Sequence, residues 1–343
     1  GALAPLPVRY RDYAAGEREC WSGERLEQEL GFWREYLAEA PPVLSFPTDR
    51  ARDPDRPRSG ELIVRLLGQE HSKQLLRMAR GEGASPYMLL LAAFGAALHR
   101  HTGQRDVVVG TPVSGRSRPE LRSLMGMFIN QLPIRLRISR DDSFRSLLRN
   151  ARTSALQALA HQEMPFPRLV EALAADADRS QSPIFQVMLN VLPPDSGTLP
   201  RSEEEVAFRD PDLQEVRAML DMQSKFDFTL YAIDRAGELQ LGFMYEATLF
   251  DAQRMERFVD DVERMLRLAV ESPDRPIEEV WREEAAALLP TRQPAAVREA
   301  GATVVDQFLR IASTAGSRPA IIGSADEVPY STLRDQAAQI AQA

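Results

Sequence analysis

Apolar residues recur at helical period from Trp21 to Ala40, and Pro41-Pro42 cannot continue the pattern, so a helix is predicted over 21–40. Ahead of it, residues 1–9 read as an extended, Pro-containing linker. After a charged loop at Asp49–Arg58, Glu61–Leu67 reads as a strand and Gln69–Arg80 as an amphipathic helix. Ser85-Pro86 places a capping residue before a Pro at the first helical position and opens a helix to about Arg100. That helix is apolar all round, which predicts burial on several sides. Asp106–Val113 carries adjacent Val107, Val108 and Val109, the pattern of a strand covered on both faces.

Ser143 caps a helix whose apolar stripe is Phe144, Leu147, Leu148, Ala151, Ala155 and Leu159. Pro183–Leu192 is strand-like, and a polar loop with the acidic triplet Glu203-Glu204-Glu205 follows it. Phe226–Ile233 and Glu238–Glu246 read as a hairpin around Asp234–Gly237. Asp251 caps a last long helix to about Val270, with Phe250 and Met255 as its hydrophobic staple. Glu271–Gly301 reads as an interdomain linker with one helical turn, and a new strand–helix pattern starts at Thr303. Both ends read as cut, because Ser331–Ala343 stops within a helical pattern. Strands and helices mix without strict alternation, so the expected fold class is α+β rather than doubly wound.

Composition narrows the function classes. The 343 residues can bury one large core or two to three small ones. The formal charge is −8 and no Lys/Arg-rich run occurs, which excludes a basic nucleic-acid footprint. A single Cys20 excludes an internal disulfide framework and fits a reducing compartment. The longest apolar run, Tyr87–Leu98, is too short to span a bilayer, and no signal peptide opens the chain. The expectation is a soluble, cytoplasmic protein with neither a membrane nor a nucleic acid as partner.

Candidate chemistry is sparse. Of the four histidines, His99 and His101 do not share a helix face, so no metal pair is expected. No zinc-protease, nucleophile-elbow or phosphate-loop motif occurs, and Gly81-Glu82-Gly83 is a turn between helices. What stands out is a set of polar and Gly-containing segments beside apolar strands. Gly110–Arg116 ends a strand, and Asn130-Gln131 interrupts the apolar run Met125–Arg135. An amide pair there must satisfy its hydrogen bonds or line a wet cavity. His161 follows a helix, where a C-terminal cap is the plainer reading than catalysis.

In order and spacing these segments resemble the condensation domains of nonribosomal peptide synthetases. The family's opening motif is matched by Tyr10-Arg11-Asp12-Tyr13, and the next by Phe32-Trp33-Arg34-Glu35-Tyr36-Leu37 with Pro47-Thr48-Asp49-Arg50. Gly126–Arg135 matches the family's Gly-x-Phe-Val-Asn-x-Leu-Pro-x-Arg, and His161–Pro167 its His-Gln-Asp-x-Pro-Phe-Glu. Lys225-Phe226-Asp227-Phe228-Thr229 resembles its later strand, and Ser180-Gln181-Ser182-Pro183 its Ser-Arg-Asn-Pro. Departures are Gly16 in place of Trp, Glu163 in place of Asp and Pro167 in place of Glu, which put local ion pairs in doubt.

The family's catalytic His-His-x-x-x-Asp-Gly is absent from the chain. The resemblance therefore implies the C-terminal, acceptor-side lobe of a chloramphenicol-acetyltransferase-like two-lobed fold, plus a partial α/β adenylation segment. The expected boundaries are 1–15 interlobe linker, 16–275 lobe, 276–302 linker and 303–343 the start of an adenylation domain. The intact domain joins two thioesters carried on phosphopantetheine arms. On this reading the chain binds no cofactor or metal of its own and supplies no catalytic residue. Ser114, Arg116, Gly126, Phe128, Asn130 and Gln131 would line the substrate tunnel, with Asn130 facing the reacting centre and Arg116 holding structure. Asp12, Trp33, His161, Pro165, Phe166, Ser180, Pro183 and Asp227 would be structural motif residues. Implied partners are the missing N-terminal lobe, the donor and acceptor carrier proteins and an adenylation domain. An epimerisation-type relative and a non-catalytic docking module of the same fold stand as alternatives.

Overall fold

The computed structural model describes residues 6, 8–53, 56–174, 181–193, 224–288, 304–322 and 327–342. The chain divides into two compact units, Gly1–Glu283 and Glu284–Ala343. The larger unit is α+β, as the mixed pattern predicts. Its elements run α1 (Tyr10–Cys20), α2 (Gly23–Tyr36), β1 (Gly60–Leu66), α3 (Gln69–Gly81), α4 (Pro86–Thr102), β2 (Asp106–Val113) and β3 (Asn130–Arg137). They continue with α5 (Phe144–Ala160), α6 (Phe166–Leu173), β4 (Val187–Leu192), β5 (Phe228–Arg235), β6 (Glu238–Glu246), α7 (Ala252–Glu271) and α8 (Ile277–Leu288).

Six strands form one mixed sheet in the order β1-β6-β5-β4-β2-β3. β4 runs parallel to both β2 and β5, while the β1–β6, β5–β6 and β2–β3 pairs are antiparallel. The β5–β6 hairpin turns on Ala236 and Gly237, both at positive φ (53° and 85°), the backbone a two-residue turn needs to follow strand twist. The Gly237 amide donates to Asp234 Oδ1 at 2.9 Å. Both faces of β2 are covered: Val107 and Val109 join the main core, and Val108 packs with Phe185, Met188 and Phe226 on the other side.

Every residue of α4 from Met88 to Leu98 is buried. Phe94 sits 6.1, 6.0 and 5.9 Å from the rings of Phe228, Phe243 and Phe258, joining the sheet to α7. Ser85 and Ser143 cap α4 and α5 through their hydroxyls, which accept from Met88 N at 3.3 Å and Ser146 N at 3.2 Å.

Several local expectations are corrected. A helix that the sequence pattern did not mark starts at Tyr10, directly after the segment read as extended, with Tyr10 and Tyr13 both packed on Phe128. The helix read as 21–40 begins at Gly23 and ends at Tyr36, well before the prolines, with Glu39 at φ 63°. Asp251 does not cap α7 with its side chain; the carboxylate pairs with Arg50 instead. The staple residues Phe250 and Met255 are nonetheless both buried. The strand read from Pro183 starts at Val187, because Ile184 takes φ 68° and the Phe185 amide turns back to Pro183 O at 2.8 Å. Past Glu271 there is a 12-residue helix rather than one turn, and Ile277 and Trp281 are buried in the main core.

The smaller unit begins with the last turn of α8, and the pattern from Thr303 starts on a helix rather than a strand: α9 (Val304–Thr314), then β7 (Pro319–Ile322) antiparallel to β8 (Glu327–Pro329), then α10 (Tyr330–Gln342). The Phe308 and Tyr330 rings lie 5.9 Å apart and tie its two helices. No helix among the described residues is long and apolar enough to cross a membrane.

Candidate functional site

β2 leaves the sheet at Val113 and the chain then makes a tight approach to itself. Gly115 has φ 61°, and a Cβ there would stand 1.8 Å from the Phe128 carbonyl oxygen, so only glycine fits. Ser114 is exposed, and its hydroxyl accepts from the Arg116 amide at 3.4 Å. The Arg116 guanidinium donates to the carbonyls of Leu121 and Leu124 (2.9 Å to the latter) and lies 4.2 Å over the Phe128 ring. It acts as a pin for the 121–126 turn, with Nη2 also donating to Gly126 O at 3.4 Å.

Phe128 is buried with Leu121 and Leu124 against Tyr13, its ring 4.8 Å from Tyr13 and 5.3 Å from Tyr10. Tyr10 covers Gly126 so closely that a Cβ there would sit 2.3 Å from its ring, and its hydroxyl donates to Met127 O at 2.9 Å. The alternate residues are exposed, and two of them, Met127 and Ile129, line the cavity described below. Met125, Met127 and Ile129 are 92%, 72% and 63% exposed, an apolar strip of the kind that monomers seldom leave uncovered.

Asn130 begins β3, and its amide is fully engaged. Nδ2 donates to Gln162 O at 3.0 Å and Met164 O at 2.7 Å, and Oδ1 accepts from Phe166 N at 2.9 Å. Both of its donors are spent on the α5–α6 loop, while the residue also lines the cavity described below. Gln131, half-buried, stands opposite Pro112 in the β2–β3 ladder.

His161 closes α5, its amide bonded to Ala158 O at 3.1 Å. Its ring stacks on Phe32 at 3.5 Å, and Nδ1 lies 2.8 Å from Glu29 Oε2. The carboxylate beside it is thus Glu29 on α2. Glu163, the one carboxylate that its neighbourhood in sequence offers, instead pairs with Arg25 at 3.1 Å and accepts from the Ser117 hydroxyl at 3.3 Å. Pro165 occupies the N-cap position of α6, and Phe166 packs 5.2 Å from Phe185.

These segments enclose a cavity of about 220 Å³. α1 and the start of α2 form one wall with Tyr13, Cys20, Trp21 and Arg25, and the 115–130 segment a second. Gln162, Glu163, Pro165 and Pro167 form the third. Arg25 organises the first wall: it lies 4.7 Å over the Trp21 ring, and its Nη1 donates to Cys20 Sγ at 2.5 Å. The Tyr13 hydroxyl is pushed up to about 12 by burial and by the Glu17 carboxylate that accepts its proton at 3.0 Å. It is a hydrogen-bond donor at neutral pH.

Of the expected tunnel residues, Phe128 and Asn130 line this cavity, while Ser114, Arg116, Gly126 and Gln131 lie beside it in sequence without lining it. Pro165 lines it too. The remaining motif residues lie elsewhere. Trp33 is fully buried, Asp12 is exposed beside Arg11, and Asp227 is buried in an ion pair with Arg52. The Pro183 carbonyl holds the turn before β4, and Ser180 lies outside the described residues. Arg25, Trp21 and Cys20 were not singled out from the sequence. Nothing in their local spacing marks them, because their partners are more than 90 residues away or stacked across a helix break.

Comparison with known proteins places this geometry. The family model described as a condensation domain matches residues 2–289. One of the linear gramicidin synthases of Brevibacillus parabrevis is 36% identical over 343 residues, which is 99% of this chain and 7% of that protein. Phosphinothricin tripeptide synthetase PhsB of Streptomyces viridochromogenes is 35% identical over 295 residues, 86% of this chain and 24% of that protein. The chain thus spans only a small part of the curated relatives it matches. Among solved structures, the X-domain from teicoplanin biosynthesis superposes with a TM-score of 0.69 at 24% identity, covering 80% of this chain and 62% of that one. The first condensation domain of the CDA synthetase superposes with a TM-score of 0.62 at 23% identity, covering 81% and 58%. At these identities the two structures speak for the fold.

Proposed function

Since the chain belongs to the condensation-domain family, we propose that it is the acceptor-side lobe of a nonribosomal peptide synthetase domain that joins an upstream acyl thioester to a downstream aminoacyl thioester. In that step the amine nitrogen attacks the thioester carbonyl carbon, a C–N bond forms, and the C–S bond breaks. The leaving thiolate takes up the proton the amine gives up. The phosphopantetheine arms belong to the carrier-bound substrates and are not resident groups of this chain.

The observation that carries the reading is one of placement. Gly115 at the strand exit and Met127–Asn130 line one cavity, and the exposed apolar side chains of Met127 and Ile129 belong to its wall. That is one wall of a passage, with a surface suited to a second wall. Arg116 and Asn130 stiffen it. None of the 343 residues forms a His-His-x-x-x-Asp-Gly motif, so the second lobe would bring the catalytic histidine. Residues 304–342 support placement ahead of an adenylation domain, since a four-domain nonribosomal peptide synthetase bound to AMP and glycine superposes over 99% of this chain at a TM-score of 0.64.

The test is association with a separately produced lobe that bears the His-His-x-x-x-Asp-Gly motif. Sedimentation should show a one-to-one complex that substitution of Met127 and Ile129 by Lys abolishes. Independent sedimentation of the two chains at all concentrations would overturn the assignment.

A further inference from the structure

We infer that Asn130 is a positioning residue: its amide locks the Gln162–Phe166 loop against the start of β3 and so fixes one wall of the cavity. The inference rests on that wall belonging to the thioester passage, but its geometry stands apart from any activity.

The loop presents two carbonyls, Gln162 O and Met164 O, and one amide, Phe166 N, to a single side chain. Phe166 opens α6, and its amide is among those that a helix leaves without an intrahelical partner. Pro165, in the N-cap position, supplies no side-chain cap. Asn130 Oδ1 supplies it from across the chain. Two donors and one acceptor on one planar group are what a carboxamide carries; a carboxylate has acceptors only, and a hydroxyl has one donor. The side chain is short enough to reach from the first residue of β3, so the match is to Asn in particular.

The lock extends to the opposite wall. Glu163, inside the held loop, takes Arg25 Nη2 at 3.1 Å, and the other nitrogen of that guanidinium donates to Cys20 Sγ. Gln162, Glu163, Arg25 and Cys20 all line the cavity. Releasing the loop should therefore free Arg25 and make the half-buried Cys20 more accessible. Because Cys20 is the one cysteine in the chain, it is a built-in reporter of this wall.

The experiment measures iodoacetamide alkylation of Cys20 in the whole chain, as the rate ratio of variant to parent at each pH, well below the melting temperature. Asn130→Ser should raise the ratio about tenfold at every pH, the size expected when buried carbonyls lose their donors. Asn130→Asp should raise it as much at neutral pH, because a carboxylate faces two carbonyls. On acidification its ratio should fall back toward one, since the protonated acid regains a donor for Met164 O while still accepting from Phe166 N. The Cys20 titration is measured in each protein and each rate is divided by its own thiolate fraction, so that the loss of Arg25 from the thiol is not read as exposure. Ratios near one for both folded variants would overturn the inference. So would a raised ratio that rises with urea as global unfolding does, or an Asp ratio as flat with pH as that of Ser. None of these outcomes bears on whether the chain is a condensation lobe.

Discussion

Arg135 and Asp106 join the two sheet strands that carry the cavity wall. The Arg135 side chain is buried, with Nε 2.9 Å from Asp106 Oδ1 and Nη2 2.6 Å from Oδ2. Its Nη1 donates to Tyr36 O at 3.0 Å, and its backbone amide donates to the Tyr36 hydroxyl at the same distance. One guanidinium thus holds β2, β3 and the end of α2 in register. Removing only the acid leaves a buried cation without its partner, a costly change. Asp106→Asn should lower the unfolding free energy by about 2–3 kcal/mol, the range for hydrogen bonds to a charged group with one partly exposed partner. Urea unfolding followed by circular dichroism checks this; a midpoint equal to that of the parent contradicts it.

A second prediction concerns acid. Arg145 holds the Glu82 carboxyl below the usual carboxylate range through a direct hydrogen bond, and does the same to Asp274. Groups whose folded pKa is depressed contribute stability that is present above the unfolded value and lost as pH falls through the folded one. The clamp between the end of α3 and the approach to α8 is therefore intact at neutral pH and fails only below about pH 4, the ordinary carboxylate region. Arg145→Met should narrow the stability gap between parent and variant steadily as pH drops from 5 to 3 (about two pH units spanning that region). A gap that stays constant, or widens, contradicts the assignment.

Two glycines at positive φ separate strain from collision. Gly103 ends α4 at φ 70° with open space around it, whereas Gly115 at φ 61° faces the Phe128 carbonyl. Gly103→Ala should cost about 1 kcal/mol from backbone strain alone. Gly115→Ala should cost more than about 2 kcal/mol, because the 115–128 approach must also open. Calorimetric melting of the two variants distinguishes them; equal losses would mean the close approach is soft.

The exposed strip makes a prediction about association. With Met125, Met127 and Ile129 facing solvent, the chain should self-associate as its concentration rises. Met125→Lys with Met127→Lys should shift that association to higher concentration without lowering the melting temperature. A parent chain that sediments as a clean monomer at all concentrations contradicts it.

Much of the fold was legible in the sequence because it follows local rules. The Ser85-Pro86 and Ser143 starts, the triple-Val strand and the Asp234–Gly237 hairpin all stand where pattern and turn chemistry put them. α1 was not legible, because it buries no residue fully and takes its support from Phe128, more than a hundred residues away. Ile184 was not legible either, since a β-branched residue at positive φ breaks the rule by which strands are read. At the site, Gly126 and Phe128 stood out by their motif, but that Gly115 meets the Phe128 carbonyl and Gly126 the Tyr10 ring was not legible. Nor were the polar partners: that Asn130 serves a helix start at Phe166, and that Glu29 rather than Glu163 meets His161, depends on tertiary contact alone.

The central claim is that this chain forms one wall of a condensation site and lacks the group that moves the proton. The most direct measurement is product formation from two loaded carrier proteins, with the chain alone and with an added lobe bearing His-His-x-x-x-Asp-Gly. On the proposed reading the chain alone should give no product above background, since the positioned base, worth about 10²–10⁴-fold, and the wall that orients the two thioesters would come from the added lobe. Adding the lobe should yield amide product. Product from the chain alone, abolished by His161→Ala, would contradict the account.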